Sequence, residues 1–341
     1  MERLASQSSI GSEMGKDDSI GLVLAGGGAK GAFQAGVWKA MCRLGLADRV
    51  KFISGTSVGA INAAAFAAIR DPEKVCSFWR TRVSEVVTPN FQALSFDAFR
   101  RAAENVIAGK AFPFHGLLDR KVIEDMIRWL LPLDWPRDAP QVTATALECR
   151  GGILEELDSS AYRLRRFRLE EEPDHQRRVA KILASAAIPW GFDPVEIDGR
   201  RYVDGGWDEK GGENVPAAPL LKVGDTLGTL VVVRCNSREI EPESHQIHTR
   251  RKLQIVEIRP STTLRGIFDG LSDFVPDAGF MSDIPFVGPL ADSIGDVGRT
   301  LRSWSGVFAF NSDCVRQFIQ QGYADGMAAL RQLRSKERLN W

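Results

Sequence analysis

Two apolar runs near the start of the chain each break on glycine and reopen as a helical pattern, and this doubled unit constrains the fold more than any other feature. The first run, residues 20–25, stops at Gly26-Gly27-Gly28-Ala29-Lys30-Gly31. Beyond it Phe33, Val37, Trp38, Met41 and Leu44 fall at helical spacing, which predicts a helix over 32–44. The second run, residues 51–54, passes through Gly55-Thr56-Ser57-Val58-Gly59 into an alanine-rich helical stretch over 58–70. Two strands joined through a helix are expected to pair in parallel, because parallel neighbours need a long crossover.

The later pattern extends this scheme. Asp71 and Pro72 suit the cap and first position of a helix over 72–82. Helical patterns recur over 96–107 and 120–131, and strands are predicted over 142–147, 153–157 and 163–169. A helix over 175–187 is stopped by Pro189, and Asp198-Gly199 between two short apolar runs signals a hairpin. Residues 229–234 form the continuous β-branched run of a buried parallel strand, and 253–258 form a second candidate. Strands alternating with helices predict an α/β fold with a mainly parallel central sheet and helices on both faces.

Residues 1–18 are polar and mixed in charge and read as a loose tail, leaving 19–341 as one domain. Within it, 264–310 is an irregular apolar insertion, either an interfacial flap or a layer packed on the core. A C-terminal amphipathic helix over 312–338 carries the stripe Val315, Phe318, Ile319, Gly322, Tyr323, Leu330 and Leu333, suited to core or oligomer contact.

Composition narrows the function classes. Lysine and arginine total 44 and so do aspartate and glutamate, so no net field favours nucleic acid. Five cysteines, odd in number and without CxxC spacing, read as buried thiols rather than a disulfide or zinc scaffold. The first residues lack a signal-like apolar core, and no run approaches eighteen apolar residues. A cytoplasmic chain is expected, peripheral at most to a membrane, with export as an effector left open.

The chemistry centres on Ser57. A serine in a tight strand-to-helix turn presents its hydroxyl, and the amide of Val58 opens the following helix as a donor. The glycine loop after the first strand can aim further N–H groups of Gly26, Gly27 and Gly28 at an oxyanion. That loop also fits GxGxxG, but the acid that a dinucleotide site needs at the end of the second strand is missing. A catalytically silent nucleotide or anion sensor is the alternative reading. Lys30 is read as a solvated helix lysine, with neutralisation of a phosphate as its other role.

A serine needs a base. The four histidines are His115, His175, His245 and His248, and the last two fall in a polar stretch that reads as exposed loop. Asp204, at the end of an apolar strand and before Gly205 and Gly206, is the better candidate, provided desolvation raises its proton affinity. Arg163, Arg165, Arg166 and Arg168 form a basic cluster that Glu170, Glu171 and Glu172 follow at once, the pattern of a solvated face.

Taken together, Gly26 to Gly31, Gly55 to Gly59, Ala184-Ser185-Ala186-Ala187-Ile188-Pro189 and Asp204-Gly205-Gly206 resemble the patatin-like phospholipases, serine acyl hydrolases with a Ser-Asp dyad. The resemblance implies a three-layer α/β/α fold, with Ser57 as nucleophile and Asp204 as general base. It implies Gly26, Gly27, Gly28 and Val58 as oxyanion donors, and Lys30, Gly31, Gly55, Gly59, Gly205 and Gly206 as supporting motif residues. It also implies a phospholipid or other acyl-ester substrate met at a membrane surface, with no cofactor and no metal. Asn214-Val215-Pro216 arrives only after an apparent insertion, Trp207 to Glu213, so the loop beside the acid is unusual. Because free phospholipase activity endangers membranes, control by an activating ligand or by assembly into a homo-oligomer is expected.

Overall fold

Strand β1 (Ile20–Leu24) is buried along its whole length, with β2 (Val50–Thr56) parallel on one side and β7 (Thr229–Val233) parallel on the other. A strand covered on both faces must be apolar throughout, which is why Ile-Gly-Leu-Val-Leu shows no alternation. The computed structural model describes residues 19–81, 120–150, 161–188, 192–223, 226–238, 247, 249, 253–264 and 312–337. The proposed tail, the patterns over 96–107 and 153–157, residues 265–310, and His115, His245 and His248 lie outside these.

The sheet order is β5-β6-β3-β2-β1-β7-β8, with β4 attached to β3. β3 is Gln141–Cys149, β4 Tyr162–Arg168, β5 Val195–Ile197, β6 Arg200–Asp204 and β8 Gln254–Ile258. From β1 the chain steps one way through β2 to β3, whereas β7 to β8 steps the other way. The direction reverses between β1 and β7, and the crevice beyond such a switch point is where open α/β sheets place ligands. The glycine loop leaves β1 there.

β3 forks the sheet. Its first part, Gln141 to Thr145, pairs in parallel with β2, and its last part, Ala146 to Cys149, pairs antiparallel with β6. β4 pairs antiparallel with Thr143 to Cys149, overlapping both, so it must lie along the other edge. β2 and β6 therefore share one edge of β3 and run toward each other. Thr56 faces Thr145 and Asp204 faces Ala146, so the two strands meet end to end.

Helices α1 (Gly31–Arg43), α2 (Val58–Ile69), α3 (Pro72–Thr81), α4 (Arg120–Leu130) and α5 (His175–Ser185) share the main core with the sheet. Trp38 of α1 stacks on Phe66 of α2, with ring centroids 4.7 Å apart. The C-terminal helix α7 (Ser312–Glu337) crosses α1 backbone to backbone: a side chain at Gly36 would strike the Ile319 carbonyl, and one at Gly322 the Phe33 carbonyl. Val315, Phe318 and Leu330 of its stripe are buried in that core. The opposite face of the sheet carries a second apolar cluster under the short α6 (Ala218–Leu221). Among the described residues no helix is long and apolar enough to cross a membrane.

Several elements differ in extent from the pattern read in the sequence. β2 continues through Gly55 and Thr56, because their partners Ala144 and Thr145 keep the ladder going up to Ser57. α5 stops at Ser185, two residues early, and the freed Ala187 carbonyl accepts the Asp204 N–H at 2.9 Å. The Asp71 carboxylate accepts the N–H groups of Glu73 and Lys74, the cap expected of it. Asp198 and Gly199 both adopt positive φ, as a two-residue hairpin turn requires.

Candidate active site

Ser57 joins the last residue of β2 to the first of α2 with φ 57° and ψ −128°. A non-glycine residue in this region stores on the order of 1–3 kcal/mol of strain, so the surroundings must hold it. They do so on several sides. Its N–H donates to Ser185 Oγ at 3.0 Å, and its carbonyl accepts the Ala60 N–H at 2.9 Å. A side chain at Gly59 would collide with the Leu24 carbonyl, so glycine lets α2 start directly against β1.

Ser185 is fully buried at the end of α5. Its hydroxyl accepts from Ser57 N–H and donates to the Thr145 carbonyl at 2.5 Å, at the level where β2 and β6 meet. Its own carbonyl accepts the Gly205 N–H at 3.4 Å, next to the Ala187–Asp204 bond. The last turn of α5 thus grips the exits of both strands.

Asp204 is buried at 5% exposure. Oδ1 accepts the Gly206 N–H at 2.7 Å. Desolvation pushes the carboxyl pKa up to about 6, with Asp208 adding repulsion, against the lowering effect of hydrogen bonds from Ser57 and Gly206. The Ser57 hydroxyl stands near enough to the carboxyl to lower its proton affinity, while Oδ2 is buried without a hydrogen-bond partner among the described residues.

The glycine loop lies against this pair. A methyl group at Gly26 would stand 3.2 Å from Ser57 Cβ. Gly26, expected among the oxyanion donors, gives its N–H to the Asn214 carbonyl at 3.1 Å, so it is no free donor. The N–H groups of Gly27, Gly28 and Val58 have no acceptor among the described residues. Ser57's own N–H is engaged by Ser185, which leaves those three.

One further expectation changes. Lys30 is not a solvated lysine: it is 2% exposed and its Nζ donates to Asn236 Oδ1 at 2.9 Å. The basic cluster keeps the partly exposed face expected of it, with Arg165, Arg166 and Arg168 in ion pairs. Arg165 bonds Glu148, Arg166 bonds Glu213 at 2.6 Å, and Arg168 bonds Glu170 at 3.0 Å and Glu171 at 2.6 Å.

The insertion after Asp204 folds as a closed loop. Glu213 N–H donates to the Gly205 carbonyl at 2.7 Å, and Thr56 Oγ1 donates to the Glu213 carbonyl at 2.7 Å, tying the loop to the residue before Ser57. Trp207 packs edge-on to Tyr162, with ring centroids 5.5 Å apart. The loop delivers Asn214, whose Oδ1 would stand 2.9 Å from a methyl group at Gly206, so its amide lies between the glycine loop and the Asp-Gly-Gly turn. The motifs point to Ser185, at a small-residue helix end, and to Asn214, after the insertion, without giving either a partner.

His175, the one histidine among the described residues, opens α5 at the end away from Ser185 and contacts the Leu131 carbonyl at 3.4 Å. Among the described residues, no group of three or more His, Cys, Asp or Glu is placed to hold a metal ion.

A segment of 64 residues, 19% of this chain, is 45% identical to lysophospholipase nte1 of Aspergillus terreus; it spans only 4% of that protein's length. VipD from Legionella pneumophila is 14% identical, over 92% of this chain and 67% of that one, with a TM-score of 0.43. Human GIVD cytosolic phospholipase A2 is 13% identical over 92% of this chain and 61% of its own, with a TM-score of 0.38. At such low similarity these structures carry no part of the assignment. The family model for patatin-like phospholipase matches residues 22–221, more than half of the chain. That span runs from β1 to α6 and takes in the glycine loop, Ser57, Ser185 and Asp204, so the chain belongs to the patatin-like phospholipase family.

Proposed function

We propose that the protein is a serine acyl hydrolase that cleaves fatty-acyl esters of phospholipids or related lipids at a membrane surface. The observation that carries this reading is the end-to-end meeting of β2 and β6, which sets the Ser57 hydroxyl beside a buried Asp204 carboxyl with pKa about 6. An ordinary aspartate near 3.8 is a weak base, and desolvation brings this one close to the working range of a general base.

In the proposed reaction Asp204 Oδ2 takes the hydroxyl proton as Ser57 Oγ attacks the ester carbonyl carbon. The tetrahedral oxyanion is stabilised by the Gly27, Gly28 and Val58 amides, each such donor being worth about 3 kcal/mol in the transition state. Collapse expels the alcohol, which takes the proton back from Asp204, and leaves a fatty acyl group on Ser57. Water then gives a proton to Asp204 as its oxygen attacks the acyl carbon, and collapse of the second tetrahedral intermediate releases the fatty acid while Ser57 Oγ takes the proton back from Asp204.

The rival reading, a silent nucleotide or anion sensor, has less support. Gly26 faces Ser57 and Asn214 rather than open space, and its amide is engaged. Labelling with a fluorophosphonate and measuring fatty-acid release from phosphatidylcholine vesicles separates the two. Wild type is expected to do both and Ser57→Ala neither. A folded wild type that stays unlabelled while a dinucleotide raises its melting temperature would sink the hydrolase.

A further inference from the structure

We infer that Gln34, Asn62 and Trp79 form a hydrogen-bonded chain that anchors both ends of the glycine loop to the helix carrying Ser57, as positioning residues for oxyanion binding. The inference rests on the reading of Gly27 and Gly28 as oxyanion donors. Its starting point is a physical problem. Four of the six residues from Gly26 to Gly31 are glycine, and a glycine-rich segment loses more freedom on ordering than any other. Oxyanion donors stabilise charge only when held in place before the reaction.

The chain meets that need from below the loop. Gln34 Nε2 donates to the Ala25 carbonyl at 2.7 Å, immediately before the loop, and to Cys235 Sγ at 3.3 Å. Asn62 Nδ2 donates to the Gly31 carbonyl at 2.9 Å, at the loop's end, and to Gln34 Oε1 at 2.8 Å. Trp79 Nε1 donates to Asn62 Oδ1 at 3.0 Å. Gln34 lies on α1, Asn62 on α2 one turn beyond Ser57, and Trp79 on α3.

The polarity of this chain is set from one end. An indole N–H can only donate, so the Asn62 atom facing Trp79 must be its oxygen. The Asn62 amide nitrogen is then turned toward Gly31 and Gln34. Gln34 must in turn offer its oxygen to Asn62 and its nitrogen to Ala25. Reversing any one amide would set donor against donor or acceptor against acceptor. All three side chains are buried, Gln34 and Asn62 at 0% exposure, where a mismatched polar group has no water to turn to. The Trp79 ring also bears on the loop itself, since a methyl group at Gly31 would stand 2.7 Å from it.

A chain that only filled space would be served by apolar side chains of the same volume, without the cost of burying amides. Here the two amides donate to the carbonyls that bracket the loop, to the next member of the chain, and to Cys235 Sγ, whose side chain packs against Gly27.

The test uses Trp79→Phe, which keeps a ring and removes the indole donor, and Gln34→Met, which keeps the length and removes both donors. Hydrogen exchange of the Gly27 to Gly31 amides is read in a Ser57→Ala background, where no turnover occurs. Hydrolysis is read with Ser57 intact. Exchange of the loop amides is expected to rise about tenfold in either variant. In parallel kcat is expected to fall tenfold or more and fluorophosphonate labelling to slow, with KM within twofold and the Asp204 pH midpoint unmoved. Unchanged loop exchange in the folded variants, or faster exchange with kcat intact, would overturn the inference. If the wild type releases no fatty acid while loop exchange still rises, the anchoring stands and the failure belongs to the hydrolase reading.

Discussion

β1, β2 and β7 run parallel, β1 and β7 buried throughout and β2 from Ile53 on, whereas β4, β5 and β6 each run antiparallel to the strands they pair with and between them carry arginine, glutamate and aromatic residues. The parallel half brings Ser57 to the crevice on the end of β2, as its topology requires. β6 brings Asp204 from the opposite direction. Two strand ends can face each other only if both strands use one edge of a third, and β3, longer than either at Gln141–Cys149, supplies that edge. The parallel half therefore positions the proposed nucleophile, and the antiparallel half sets what stands opposite it. The energetic contrast follows: Ser57 is strained in its backbone, whereas Asp204 is strained in its ionisation.

Asp204→Asn breaks the antiparallel contribution while keeping its shape, and the largest effect is expected here. Hydrolysis should fall about 10⁴-fold, the order seen when the carboxylate of a hydrolytic triad is neutralised. Stability should move the other way. Asp204 has a folded pKa of about 6 against 3.8 for an ordinary aspartate, so the folded state binds the proton more tightly than the unfolded chain. The protonated carboxyl stabilises the fold fully below pH 3.8, and that contribution is lost as pH rises through 6. At neutral pH the ionised group costs on the order of 3 kcal/mol. The variant should melt several degrees above wild type at pH 8 and close to it at pH 4. Equal melting temperatures at pH 8 would show a solvated carboxylate.

The same comparison sharpens with pH. In the proposed mechanism Asp204 acts ionised, so kcat/KM should be flat above about pH 7 and fall tenfold per unit below pH 6. A midpoint near 4 would mean that the active form admits water to Asp204.

Legibility divides along the same line. In the parallel half, apolar runs, glycine turns and helical spacing are local signals, so β1, α1, β2, α2 and Ser57 could be placed from a few neighbouring residues. Asp204 could be named from its strand end and Asp-Gly-Gly turn. Its meeting with Ser57 depends on the fork in β3, which no local pattern encodes. Three further features were hidden for related reasons. Gly26's amide is engaged by a carbonyl far along the chain, and the buried Lys30 donates to Asn236, just past the end of β7. The Gln34–Asn62–Trp79 chain joins three helices through side chains that, read singly, look like ordinary helix residues.

Ser185 links the two halves, and Ser185→Ala tests the link. Removing the hydroxyl leaves Ser57 N–H and the Thr145 carbonyl without their partner, a loss of about 1–3 kcal/mol for groups buried away from water. With the strained Ser57 backbone less restrained, kcat should fall about 10- to 100-fold while the Asp204 pH midpoint stays in place. Comparing thermal unfolding with single-turnover rates checks both parts. A stable variant with full activity would show that the α5 turn is packing alone.

Arg166→Ala should have the smallest effect, and that smallness is itself informative. Arg166 pairs with Glu213 at 2.6 Å across a partly exposed surface, where such pairs contribute up to about 1 kcal/mol. Glu213 keeps its other bonds: N–H to Gly205, carbonyl from Thr56, and Oε1 from Ala218 N–H at 3.1 Å. Those bonds close the loop beside Asp204, so the guanidinium is an addition to a geometry already set by the backbone. Hydrolysis should stay within about threefold of wild type, and stability within about 1 kcal/mol at low salt and less at high salt. A drop approaching that of Ser185→Ala would mean that the edge strand β4 reaches the site through Glu213. The antiparallel half would then position Ser57 through Thr56 as well as supplying the acid opposite it.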